Sequence, residues 1–457
     1  MFIGREQELE VLSKLLEKPH QHALIYGNRR VGKTTLALKA IEDSKLTCIN
    51  YECKKDSLEN NLRSFEATLR ELNILEFDAH FSSFPDVFTF VNKLNKRLVF
   101  LIDEYPYLYY EEEKARVDSI FQNIFDQHSS NLNIIISGSH IGMMNEIMQH
   151  GNPLFGRFKA LINLKELDYL EASCFYKNLT PYEKVQYYAV FGGSPFILEQ
   201  LDYSASIEEN IKKTFLSPNS VLNMFIADQY TSDLKTKEFA NQIFEALGNS
   251  KLRYKTLEER LRMENNGLLS KQLKILINMN FIGTNSPINK INDNKKVTYF
   301  IKNNSSRFYY TYIYGKIGLI NVLGREEYFN RYIKDSLTTF ISLRFEDIAK
   351  AFISKLVKRG LISNVDNIGS YYYDDPINKT NGEFDLLIQK KNAYDFIEVK
   401  YLKNKVNNQI VNEEKSQVEK VKELHVDKFG FISINGFEDN VIDLDYKFDG
   451  YNMYFSN

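Results

Sequence analysis

Three stretches of this chain combine residue types that can do chemistry. The first is Gly27-Asn28-Arg29-Arg30-Val31-Gly32-Lys33-Thr34-Thr35. Its two glycines let the backbone turn N–H groups inward as a nest for anions. A helix starting behind them adds partial positive charge. Lys33 brings a point charge to the outer phosphates of a nucleotide, and Thr34 offers a hydroxyl to Mg²⁺. The second stretch ends in Asp103-Glu104, after the apolar run Leu98-Val99-Phe100-Leu101-Ile102. Asp103 would hold the water shell of Mg²⁺, and Glu104 would polarise the attacking water. Together the two stretches suit binding and hydrolysis of ATP.

The third stretch is Glu383-Phe384-Asp385-Leu386-Leu387-Ile388, followed by Tyr394-Asp395-Phe396-Ile397-Glu398-Val399-Lys400. Both read as strands, and residues 389–393 join them as a hairpin. Glu398 and Lys400 are two apart, so they share one strand face. With Asp385 they form a D-x(n)-E-x-K pattern suited to metal-assisted phosphodiester hydrolysis. Asp385 and Glu398 would bind one or two Mg²⁺ ions. Lys400 would orient or deprotonate water, or offset charge on the phosphate.

Three further positions carry open readings. Ser139, or Ser137, would contact the γ-phosphate or the attacking water if the run 133–139 is a buried strand ending beside Asp103. Arg157 is either an arginine finger on a neighbouring subunit's nucleotide, which implies a homo-oligomer, or a surface ion pair. Gly192-Gly193-Ser194-Pro195 interrupts two helical patterns and exposes backbone, either as an ordinary corner or to meet ligand.

Elements must position these residues. Residues 23–26 form a strand before the glycine loop, and 36–41 a helix after it. Strands are also expected at 46–51, 98–102, 133–139 and 160–164, with helices at 56–73 and 84–96. Helical spacing then recurs at 238–247, 257–263 and 268–279, before two β-like segments at 281–284 and 296–301. Three helices and a hairpin are the pattern of a winged helix-turn-helix. Residues 237–302 hold 12 Lys and Arg against 6 Asp and Glu, a local excess of positive charge. Lys271 and Lys274 on the third helix, with Lys290, Lys295 and Lys296 on the wing, suit DNA phosphates. The same module would otherwise serve as an intramolecular latch.

Composition sets the outer bounds. A chain of 457 residues has room for two or three domains, and its net charge of −2 excludes a global field for nucleic acid. The three cysteines, Cys48, Cys53 and Cys174, have no metal-site or disulfide spacing, which suits a reducing cytoplasm. No apolar run is long enough to span a bilayer, and the first residues lack a signal peptide's apolar core.

Phe2-Ile3-Gly4-Arg5-Glu6, the glycine loop, Ile102-Asp103-Glu104, Ser137-Gly138-Ser139 and Leu154-Phe155-Gly156-Arg157 follow one another as in the archaeal-type ATPases. That family is a branch of the AAA+/STAND-like P-loop ATPases. The resemblance implies an α/β core with a five-stranded parallel sheet in the order 5-1-4-3-2. It also implies that residues 2–6 pack near adenine, and that Gly192 to Pro195 is a lid element meeting nucleotide. The C-terminal pattern resembles the restriction-endonuclease-like, PD-(D/E)XK, superfamily. That resemblance implies a preceding helix bringing Glu346, a strand at Tyr371-Tyr372-Tyr373-Asp374, and a following helix at 413–424 bringing Gln417. The expected organisation is an ATPase core (1–165), helical lid (166–235), winged helix (236–315) and nuclease-like domain (316–457). The expected function is an ATP- and Mg²⁺-dependent protein that binds DNA and cleaves it under nucleotide control. The alternatives are a nucleotide-dependent switch whose C-terminal domain binds without cleaving, and a plain ATPase with protein partners.

Overall fold

The computed structural model describes residues 2–76, 79–126, 131–218, 220–231, 237–263, 267–375, 380–391 and 393–455. They divide into two compact units. The first runs to Leu167 and includes Ser194–Phe196; the second holds Asp168–Gly193 and Ile197 onward.

The first unit alternates helices and strands. It opens with α1 (Glu6–Leu16), β1 (His22–Tyr26), α2 (Lys33–Ser44), β2 (Thr47–Glu52), α3 (Leu58–Glu71) and α4 (Phe84–Lys93). It continues with β3 (Leu98–Asp103), α5 (Lys114–Phe125), β4 (Leu132–Gly138), α6 (Ile141–Ile147) and β5 (Ala160–Asn163). The strands form one parallel sheet in the order β2-β3-β4-β1-β5. This is the expected order, counted from the opposite edge.

The apolar run of β3 has a direct cause. Leu98, Phe100 and Ile102 enter one core, and Val99 and Leu101 enter the other. Strand side chains alternate between faces, so a strand covered on both sides is apolar throughout. On one face α3 and α4 bring Phe65 and Phe88 against Phe100, with the Phe88 and Phe100 ring centroids 4.5 Å apart, and α5 brings Phe121 against Phe88. On the other, α1 and α2 bring Leu12, Leu36 and Ala40. Burial of each such Phe or Leu contributes about 1.5–3 kcal/mol. Because the sheet is parallel, Gly27, Asp103 and Ser139 all lie where strands end, along one carboxyl edge.

In the second unit the chain runs through α7 (Tyr169–Ala172), α8 (Pro181–Phe191), α9 (Pro195–Leu198), α10 (Ile207–Thr214) and α11 (Val221–Thr231), the first two residues of α9 belonging to the first unit. Then come α12 (Lys237–Leu247), β6 (Leu252–Arg253), α13 (Tyr254–Arg260), α14 (Leu268–Asn278), β7 (Ile282–Asn285) and β8 (Thr298–Ile301). These strands pair antiparallel in the order β6-β8-β7. The two-residue β6 leaves no periodic signal in the sequence. Gly283 is required on β7, since a Cβ there would stand 2.5 Å from the Phe300 ring.

The chain closes with α15 (Asn304–Tyr312), α16 (Ile317–Tyr332), α17 (Lys334–Lys358), β9 (Asn367–Asp375), β10 (Thr380–Gln389), β11 (Tyr394–Lys400), α18 (Asn408–Glu419), β12 (Val426–Ser433), β13 (Tyr446–Asp449) and α19 (Gly450–Phe455). The sheet order is β13-β12-β11-β10-β9. Strands β9, β10 and β11 form an antiparallel meander, and β12 and β13 add parallel to β11. Helix α18 starts at Asn408, not at 413. The Asn407 side chain accepts the Ile410 N–H at 3.0 Å and so begins the helix earlier. Among the described residues, no helix is long and apolar enough to cross a membrane.

Candidate functional site

The glycine loop joins β1 to α2. Gly27 has φ +155°, and a Cβ there would lie 2.1 Å from the Leu164 carbonyl oxygen. Only glycine lets the loop pass that close to the end of β5. Gly32, with φ +93°, caps α2 in the left-handed region. Lys33 is buried, and its ammonium donates to the carbonyls of Gly27 (3.2 Å) and Asn28 (3.1 Å). It thus spans the mouth of the loop, where a phosphate would compete for it. Burial lowers the Lys33 pKa, while Glu104 and Asp103 draw it back up. The loop, the helix start and this lysine fit a nucleotide's phosphates.

Asp103 ends β3 and Glu104 follows it. Thr34 donates its hydroxyl to one Asp103 oxygen and Ser137 donates to the other. Glu104 Oε2 accepts from the Ser139 N–H at 3.1 Å and the Ser139 hydroxyl at 2.7 Å. The two serines of β4 and the turn after it are therefore divided: Ser137 sets Asp103 and Ser139 sets Glu104. Asp103 beside the Thr34 hydroxyl is a donor set suited to Mg²⁺.

Two other segments reach the loop. Arg5, buried and in the left-handed region at φ +67°, donates to the carbonyls of Val31 and Lys165. The Ser194 hydroxyl donates to the Arg30 carbonyl at 3.4 Å, and the Arg30 guanidinium lies 4.7 Å from the Phe196 ring centre. Pro195 sits between these two contacts, so the turn after Gly192-Gly193 is fastened to the glycine loop.

The carboxylates of the second unit gather where β10 and β11 part. The antiparallel ladder pairs Gln389 with Tyr394, Ile388 with Asp395 and Leu387 with Phe396, and is recorded no further. Beyond it, Asp385 stays near enough for its charge to raise the Glu398 pKa. On its other edge β10 slips register against β9 between Phe384 and Leu387. Such irregularities re-aim side chains. Lys400 pairs with Glu398 at 2.8 Å and with Glu414 of α18 at 2.7 Å. From α17, Glu346 is 3.7 Å from Lys251, and Asp347 is held by Lys251 (3.3 Å) and Arg307 (2.9 Å).

The electrostatics separate these acids. Burial, then the charge of Asp385, pushes Glu346 up to about 8. Burial pushes Glu398 up to about 7 against the pull of Lys400. Asp385 is raised as well, chiefly by burial. Burial also works to raise Asp347, but Arg307, Lys251 and Arg344 more than reverse it. Raised carboxyls whose charges bear on one another suit a site that receives a cation. Among the described residues, no three His, Cys, Asp or Glu side chains stand together as a ready metal cage.

Known proteins share this design. A model of an ATPase domain predominantly from Archaea matches residues 2–201, and a model of archaeal and bacterial proteins of unknown function matches 309–415. An uncharacterized protein of Methanocaldococcus jannaschii is 30% identical over 366 residues, covering 78% of each chain. The chain belongs to this archaeal ATPase family. An uncharacterized ATP-binding protein of the same archaeon is 41% identical to the ATPase over 54 residues, 12% of this chain and 92% of that one. The Walker-type ATPase of Pyrococcus abyssi shares its fold, with a TM-score of 0.52 at 18% identity over 68% of this chain and 96% of that one. The ATPase is an ATP-binding P-loop protein with a separate C-terminal sheet.

The remaining candidates fall in other places. Arg157 forks onto both oxygens of Asp126, at 2.9 and 2.8 Å, within its own chain. A role on a neighbouring nucleotide requires that pair to break. Asn28 and Arg29 are half-buried in the loop, while Thr35 points out from the first turn of α2. Gln417 is exposed on α18, and Glu414, one turn earlier on that helix, reaches Lys400. Helical spacing offered Glu414 as readily as Gln417. Arg5 lay inside a recognised motif without an assigned role. Lys251 had no sequence signal, because only folding brings it beside Glu346.

Proposed function

We propose that this ATPase binds DNA and hydrolyses phosphodiester bonds at Asp385, Glu398 and Lys400, under control of the nucleotide held by Gly27 to Thr35. The observation that carries the reading is the Lys400–Glu398 ion pair at 2.8 Å, with Lys400 also drawing on the Asp385 carboxyl and Asp385 on that of Glu398. Topology supports it. A helix, an antiparallel meander, a crossover helix and a parallel strand (α17 to β12) resemble the PD-(D/E)XK core. Helices α12 to α14 with sheet β6-β8-β7 resemble a winged helix-turn-helix.

At the nucleotide, Lys33 exchanges the Gly27 and Asn28 carbonyls for phosphate oxygens. Glu104, aimed by Ser139, orients water toward the γ-phosphate. Thr34 with Asp103 at one site, and Asp385 with Glu398 at the other, would hold Mg²⁺. When bound, Mg²⁺ would supply charge neutralisation on phosphoryl oxygens and a more acidic water. It takes one or two carboxylates and keeps several waters, so a carboxylate pair is sufficient. Lys400, steadied by Glu398 and Glu414, offsets charge on the phosphate. Ser194 to Phe196 gives the nucleotide loop a fastening to the segment that continues into the second unit.

The test is cleavage of single-stranded and duplex DNA by the full chain with Mg²⁺ or Mn²⁺. Lys400→Ala is expected to lower cleavage by about 10²–10⁴-fold; a variant that cuts at the wild-type rate removes the assigned site. A second reading is a nucleotide-dependent DNA-binding switch. It is favoured by Lys400 being engaged by two glutamates. DNA affinity that depends on nucleotide and salt, without cleavage by any divalent metal, would establish it.

A further inference from the structure

The second unit holds a cleft of about 570 Å³ beside the carboxylates. Its walls come from separate parts of the chain: Lys251 before β6, Asn285 on β7, Thr298 on β8, Glu346 and Lys350 on α17, and Asp385 on β10. Glu398 and Lys400 are not on its wall, so Asp385 is the residue shared between cleft and carboxylate pair.

The walls are bonded to each other. Asn285 donates to the Ser370 hydroxyl at 3.1 Å, and the Ile288 N–H to the Ser370 carbonyl at 2.7 Å. Asn289 exchanges two hydrogen bonds with the Tyr372 backbone, at 2.8 and 3.1 Å. The β7–β8 loop thus covers the edge strand β9. Its Lys296 lies 3.6 Å from the Tyr372 ring centre, and Arg253 lies 5.3 Å from the same centre. These two cations are engaged within the chain, whereas Lys271 and Lys274 stay exposed on α14.

Charge in the cleft is divided unevenly. Asp347 already has Arg307 at 2.9 Å, and Arg344 at 3.8 Å. Among the described residues, the ion pairs of Lys251 are longer, 3.3 Å to Asp347 and 3.7 Å to Glu346. It can exchange them for a phosphate without leaving Asp347 unmatched. Lys350 follows Glu346 by one helical turn on the same face of α17.

We propose that this cleft takes a single strand of DNA, with Lys251 and Lys350 holding the phosphate next to the one presented to Asp385. The proposal rests on the phosphodiester reading for the chemistry at Asp385, and adds the substrate class and the residues that position it. The volume lies within the ~300–1,000 Å³ of sites for small ligands, room inside the cleft for one or two nucleotides, whereas a duplex is too wide to enter and can only lie across its mouth. A strand must therefore arrive already unpaired or be drawn out of its helix. The Asn285 Nδ2 and Thr298 hydroxyl already donate to Ser370 and to the Asn285 carbonyl, so the Asn285 amide oxygen and the Thr298 hydroxyl oxygen are the acceptors offered to exposed base edges.

The experiment is fluorescence anisotropy with the full chain, labelled single-stranded DNA and a blunt duplex of the same sequence, over a salt series. Single-strand affinity is expected to exceed duplex affinity by about tenfold or more. Lys251→Ala and Lys350→Ala should each weaken it by about three- to tenfold and lower the salt slope by about one. Lys251→Arg should retain the slope, and unchanged thermal melting would exclude misfolding. Equal affinity for duplex, or sensitivity to Lys271→Ala and Lys274→Ala but not to Lys251→Ala, would overturn the proposal. Binding that follows the expected pattern without cleavage would sink the nuclease reading alone. Duplex cleavage at the wild-type rate by Lys251→Ala would sink the cleft alone.

Discussion

Glu104 leaves β3 at φ +50°, and both hydrogen bonds it accepts from Ser139 go to Oε2. Those bonds set the direction of a carboxylate whose proposed task, polarising the water that attacks the γ-phosphate, needs its charge. Replacing it with glutamine keeps an acceptor for Ser139 and removes the charge. Glu104→Gln should therefore bind ATP with near wild-type affinity, while turnover falls by about 10²–10⁴-fold. Nucleotide titration and phosphate release measure the two effects separately. Turnover that survives the substitution would take Glu104 out of the chemistry. Lys33 differs in the proposed role, because it already donates to loop carbonyls and would trade them for phosphate. Its loss acts on binding itself.

At the level of elements, β1 carries a pH dependence that its neighbours create. His22 opens the strand at 4% exposure, and its Nδ1 accepts the Ile134 N–H of β4 at 3.2 Å. Its ring packs 4.5 Å from that of Phe125. Burial, then the charge of His20, pushes the His22 pKa down to about 3. Between that value and the ordinary one near 6.5, the unfolded chain carries a proton that the folded chain does not. Stability is therefore full above pH ~6.5 and is lost as pH falls, by up to about 1.4 kcal/mol per pH unit across that window. Denaturant unfolding at pH 6.5 and pH 4.5 should show His22→Phe losing less stability than wild type. An identical loss in both would mean that His22 takes up its proton in the folded state. The proposed carboxylate site is likewise a product of elements, since β10 slips against β9 between Phe384 and Leu387 and its pairing with β11 stops at Leu387.

For the whole molecule, two compact units in one chain make a single all-or-none transition unsafe to assume. A ligand that binds only one folded unit stabilises that unit, by about 2.7 kcal/mol at ~100 times its Kd. ATP with Mg²⁺ should raise the unfolding transition of the first unit, and Lys33→Ala should abolish the rise. Calorimetry of the full chain with and without nucleotide measures this. One transition moved as a whole by ATP would mean that the units unfold together. The segment Ser194 to Phe196 is the place to look for such coupling. It belongs to the first unit, yet residues of the second precede and follow it.

Local sequence determined the nucleotide site almost completely. Gly27, Gly32, Lys33 and Thr34 are neighbours in the chain, and the loop's conformation follows from its glycines. Strand β3 was legible because burial on both faces demands unbroken apolar residues, so Asp103 and Glu104 stand out at its end. Pairing across distance was not legible. Which oxygen of Asp103 meets Thr34 and which meets Ser137 depends on β3 lying beside β4. The two-residue β6 is too short to show a period. Gln417 and Glu414 share a helix, and only the start set by the Asn407 cap and the packing of α18 decide that Glu414 meets Lys400. Lys251, Asp347 and Asp385 are far apart in sequence, and only tertiary structure brings them into one cleft. Short-range geometry is written in residue order. The balance of charge in a cleft depends on which distant segments share its low-dielectric space.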